Sequence, residues 1–191
     1  TVSRSSLTQG LFEADIILFA NILSPRDLAI LRIAKTLSQF IVVLIAPLWR
    51  NMQPEFIHTQ DKTSFIKKLL KCHRISIIVL AFVLSMTFAF GESLVSYIYN
   101  VEFNEGLTLL IILLLSKYLF FTTNSWYRLW AITCTNQIVT LMPGLLSIMS
   151  MFLFAELNGS SQTLSSLAIM LLAVYFLFFS SSLLVFRFFE K

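Results

Sequence analysis

The stretch 15–39, DIILFANILSPRDLAILRIAKTLSQ, is two apolar runs joined by a short polar turn. The turn is Ser24-Pro25-Arg26-Asp27. Proline suits a first helical position because its missing N–H costs nothing there, and Ser and Asp side chains can accept the free N–H groups of a helix start. The pattern therefore predicts one helix ending near Leu23 and another opening at the turn. Four charged residues, Asp15, Arg26, Arg32 and Lys35, lie in or beside runs otherwise compatible with lipid. Charge at membrane depth is expensive, so each is a functional candidate by default.

Working outward, the whole chain shares this character. Its 191 residues are 57% hydrophobic and 13% charged, with 19 Phe and a mean hydropathy of +0.82. Soluble domains carry about twice that share of charge. The composition predicts an all-α polytopic membrane protein. The net charge of +4 is not a nucleic-acid footprint, because the basic residues fall in short connections rather than on one polar face. Cys72 and Cys134 are far apart and form no CxxC, so a disulfide framework is not supported. The chain opens on Thr1 without a signal-peptide pattern, and the expectation is a fragment with more sequence before it.

About 20 residues cross a bilayer as a helix. Six segments qualify: 9–23, 28–48, 75–97, 107–127, 138–157 and 164–186. If they alternate, Arg4, Arg50, Lys62, Lys67, Lys68, Lys71, Arg74, Arg128, Arg187 and Lys191 fall on one side. Only Arg26 falls on the other, among acidic groups. Basic residues mark the cytoplasmic side, so both ends of the chain are expected there. The connection 50–74 is expected to be a cytoplasmic loop with an amphipathic helix. Phe65, Ile66, Leu69, Leu70 and His73 share one face and Lys67, Lys68, Lys71 and Arg74 the other, which suits a helix lying on anionic headgroups. Pro143-Gly144 would bend the fifth segment. Asn158-Gly159-Ser160 matches a glycosylation acceptor but is a short, common pattern.

The intramembrane polar residues define a candidate site. Arg32, Lys35 and Gln39 fall within about 60° of one another on the second segment. Lys35 lies about 10 Å inside it, near the limit of what a lysine can bring to the surface. Two readings stand at this point: snorkelling side chains, or a cationic wall of an internal cavity. Lys117 is about 15 Å from either end of the fourth segment, beyond a lysine's reach. Asn124 and Arg128 follow it on the same line. Lys117 is expected to face protein or water, either paired with Glu13 or Asp15 or contacting a ligand. Glu13 and Asp15 point to different faces and suit charge pairing or a coupling ion. Positive charge on two helices suits a diphosphate, whose oxygens match the guanidinium fork. His58 and His73 have no ligand-like spacing, and there is no HExxH, GxSxG or P-loop, so no enzyme, cofactor or metal is expected.

On these residues the chain resembles the second half of polysaccharide flippases of the oligosaccharide-lipid exporter type, within the multidrug/oligosaccharidyl-lipid/polysaccharide transporter superfamily. Asp15, Ile16, Ile17 and Leu18 match the start of the family's helix-turn-helix, and Leu23, Ala34, Leu37 and Gln39 match further on. Pro47 in IAPLWR is similar to the proline that ends the family's next helix, QDKTSFIKKLL to its acidic-then-basic connection, and SYIYNVEFNEGLTLLIIL to its following outer turn. Ser24 and Ala29 stand where the family usually has glycine, and Leu31 where it often has tyrosine. The resemblance implies one six-helix lobe of a two-lobe transporter in the bacterial inner membrane. It implies flipping of undecaprenyl-diphosphate-linked oligosaccharides for O-antigen or capsule by alternating access. Arg32, Lys35 and Lys117, with Gln39 and Asn124, would line its cavity, and Glu13 and Asp15 would pair charge or couple an ion. The partners implied are a lipid-linked oligosaccharide, membrane lipids, and an N-terminal lobe or a second copy. The alternatives are a drug or cation exporter of the same superfamily, a membrane glycan polymerase or acyltransferase, and a scaffold subunit.

Overall fold

The computed structural model describes residues 23–58, 62–99, 104–133 and 164–189, together with Leu146, Met149, Ser150 and Leu153. The described residues form four helices: α1 Pro25–His58, α2 Lys62–Tyr99, α3 Asn104–Thr133 and α4 Leu164–Phe189. Three stretches are long and apolar enough to cross a membrane, Pro25–Asn51, Ile66–Ile98 and Gly106–Ser125. The expected segment 9–23 lies outside the described residues, and so does 138–157 apart from the four helical residues just named. Cys134, Pro143-Gly144 and Asn158-Gly159-Ser160 also lie outside them.

Helix α1 starts as its sequence requires. The Asp27 amide donates to Ser24 Oγ at 3.2 Å, and the Ser24 hydroxyl donates to the Asp27 carboxylate at 2.7 Å. Leu28 N–H closes the first turn on the Ser24 carbonyl at 2.9 Å. Ser24 thus caps the helix, and the acidic group sits at the positive end of the helix dipole.

Its far end differs from expectation. The helix runs past Pro47 and Pro54 to His58 instead of stopping near residue 48. Each proline removes an i→i−4 hydrogen bond, so something else must hold the continuation. That anchor is Trp49, which is buried, donates from Nε1 to Ser76 Oγ of α2 at 3.2 Å and stacks edge-on against His73 at 5.3 Å.

The expected loop 50–74 is likewise corrected. Residues 50–58 belong to α1, and residues 62–74 are the first third of α2, continuous with the span that follows. The basic segment is therefore not a separate surface helix. Lysine and arginine are good helix formers, so nothing in the segment breaks a helix once its inner face is packed. That inner face is Leu69, Cys72, His73 and Ser76. Ile66 and Leu70, expected on the same apolar face, are exposed.

Among the described helices α3 is the central one. Its apolar window is 61% buried against 17% for that of α2, and it packs on α1, α2 and α4. Phe120 sits between Tyr175 and Phe178 of α4, with ring centroids 5.2 and 5.1 Å apart. On α4 the buried residues Met170, Leu171, Val174, Tyr175, Phe178 and Ser182 fall on one stripe. Gly91 lets α2 approach α3: a methyl group there would stand 2.9 Å from Leu107 Cδ1.

Candidate functional site: two buried lysines

The buried stripe of α1 is Ile30, Leu31, Ala34, Ser38, Ile41, Ile45 and Trp49. Lys35 lies at the edge of this stripe and is only 5% exposed. Arg32 and Gln39 lie about 40–60° further round and are exposed. The polar stripe predicted for Arg32, Lys35 and Gln39 is thus divided, with Lys35 turned inward and the other two outward. The reason is angular: the packed face ends between them.

Lys117 is 1% exposed, on the most buried of the three membrane-length spans. Of the two readings open for Lys35, its burial matches an internal position rather than a head group carried to the surface. Helices α1 and α3 pack against each other, so two lysine side chains are committed to the interior of one packed unit. Asn124, two turns beyond Lys117, is half-buried. Glu13 and Asp15 lie outside the described residues, and so does the side chain of Arg128.

The buried hydroxyls close to these lysines in sequence are engaged locally. Ser38 donates to the Lys35 carbonyl at 2.7 Å, Ser116 to the Ile112 carbonyl at 2.7 Å and Thr122 to the Tyr118 carbonyl at 2.8 Å. Such back-bonding satisfies a buried hydroxyl without any partner helix. Thr123 is the exception: its buried hydroxyl makes no hydrogen bond among the described residues. Lys35 and Lys117 are the buried charged residues among the described residues.

An open apolar groove of about 420 Å³ lies between α2 and α3, lined by Leu84, Ser85, Phe88 and Ile111. None of the predicted site residues is among these four. Among the described residues no group of His, Cys, Asp and Glu could hold a metal.

The Trp49–His73–Ser76 contact was missed from the sequence, although a signal for it exists. Ile41, Ile45 and Trp49 continue one i, i+4 series straight through Pro47. Leu69, Cys72, Ser76 and Leu80 form a matching i, i+3, i+7, i+11 series running out of the presumed loop. No protein-family model, curated protein or solved structure matches this chain.

Proposed function

We propose that this chain is the C-terminal lobe of a lipid-linked oligosaccharide flippase, seated in a bacterial inner membrane with both its ends in the cytoplasm. The observation that carries the reading is the burial of Lys35 and Lys117 on two helices that pack together inside an otherwise apolar chain. A charged side chain at the centre of a membrane helix costs about 3 kcal/mol to insert. A chain that holds two of them inside a packed unit has a use for positive charge there. The diphosphate linkage of a polyprenyl-linked sugar is the ligand chemistry that matches. In this role Lys35 and Lys117 hold the diphosphate, and Asn124 supplies a neutral donor further along α3. Arg32 and Gln39, exposed on α1, would face the second lobe. Glu13 and Asp15 remain the groups for charge pairing or ion coupling.

The test is export of surface polysaccharide in cells lacking the gene, complemented with Lys35→Ala, Lys117→Ala and the double variant. Surface polymer is expected to fall at least about tenfold, the equivalent of one lost charge-assisted contact of about 1.4 kcal/mol, with normal protein in the membrane. Lys→Arg variants should retain part of the export. Normal polymer with both lysines replaced would sink the reading. Loss of the protein itself from the membrane would instead give the lysines the structural role expected of a scaffold subunit.

A further inference from the structure

The outward face of α2 carries a feature that the flippase reading does not use. Lys67, Lys71 and Arg74 are exposed and lie within about 60° of one another. They stand on the side of α2 opposite Leu69, Cys72 and Ser76, the face through which this end of the helix packs. The strip therefore points away from the described part of the protein. Followed along the helix, the same line becomes apolar: Ile78 and Phe82 are both exposed.

Length places this change of character in a membrane. The 38 residues of α2 rise about 57 Å, against a hydrocarbon thickness of about 30 Å. The helix is too long to lie within the hydrocarbon, and its basic end must cross the headgroup layer. Trp49, bonded to Ser76 and stacked on His73, fixes that end against α1 and brings the exposed Arg50 to the same level.

We propose that this strip is a binding site for an anionic phospholipid. Its phosphate sits on Lys67, Lys71 and Arg74, and an acyl chain runs along Ile78 and Phe82. Charge complementarity identifies the head, and the continuation of one exposed line from basic to apolar identifies the tail. Ile66 and Leu70 flank the cations with exposed apolar surface, which a lipid covers and water does not. The site needs only α2 and its anchor, so it stands whether or not the protein is a flippase.

The test is native mass spectrometry of the intact protein, titrated separately with phosphatidylglycerol and with phosphatidylcholine of the same acyl chains. The first phosphatidylglycerol should bind on the order of tenfold more tightly. The triple variant Lys67→Gln, Lys71→Gln, Arg74→Gln should reduce the preference to within about twofold. The charge-keeping pair Lys67→Arg, Lys71→Arg should preserve it, as should Arg26→Gln at the far end of α1. The wild-type preference should also shrink as ionic strength rises, a readout that depends on no variant. A preference that survives the triple variant, ignores salt or is absent from the wild type overturns the proposal. A dimer that the triple variant dissociates, without any lipid preference, also overturns it and gives the strip to a second copy of the chain.

Discussion

One indole joins the two longest described helices. Trp49 fills a fully packed position and supplies the cross-helix hydrogen bond to Ser76, whereas Ser38, Ser116, Thr122 and Ser182 bond within their own helices. Trp49→Phe keeps most of the ring and loses the N–H, for an expected cost of about 1 kcal/mol. Trp49→Ala opens a cavity as well and should cost about 3–5 kcal/mol. Thermal unfolding in one detergent, followed by circular dichroism, separates the two, and equal small effects would remove Trp49 as the anchor. The buried lysines show how far single residues were legible. Lys117 was recognisable from the sequence as internal because no lysine stem reaches from mid-span to water. The inward turn of Lys35 was not, because Arg32 and Gln39 lie so close in angle that only the position of the neighbouring helices parts them.

At the scale of the helix, composition locates an apolar span better than it locates the helix that contains it. Helix α1 passes two prolines and α2 absorbs a basic segment, so both exceed their apolar windows. A hydropathy window sees transfer energy and is blind to a helix that continues through a polar, helix-favouring run. Where helices meet, side-chain volume decides. Gly91→Ala adds up to about 1 kcal/mol of helix propensity but must push aside the tip of Leu107 and crowds Thr87 Cγ2 at 3.3 Å, so its net effect on stability should stay within about 1 kcal/mol. Gly91→Leu drives a full side chain into the α2–α3 contact and should lose about 1–3 kcal/mol. The same unfolding measurement checks both. A harmless Gly91→Leu would mean that α2 and α3 are not in close contact at this point.

At the scale of the molecule, the described helices form a central α3 with α1, α2 and α4 around it, and exposed Phe and Ile residues on the outside. Immersion in a bilayer follows from that exterior, and α2 gives it a depth scale. In a chain with Cys72 and Cys134 replaced by alanine, Lys71→Cys should react with a membrane-impermeant maleimide in intact vesicles open to that face. Phe82→Cys, also exposed and about 16 Å further along the helix, should not. Reaction at Phe82→Cys would place the span elsewhere.

By itself the sequence determined the solvent. Hydrophobic content and scarce charge are sums over residues, and they are unaffected by which way any side chain turns. It also determined the start of α1, because the Ser24–Asp27 cap is closed within four residues. Only the tertiary structure decided where α1 ends, that the basic segment belongs to α2, and which of the polar residues on α1 faces inward. Each of those depends on the rotation of one helix against another. That rotation is set by contacts between residues far apart in the chain, such as Trp49 with Ser76 and Phe120 with Phe178.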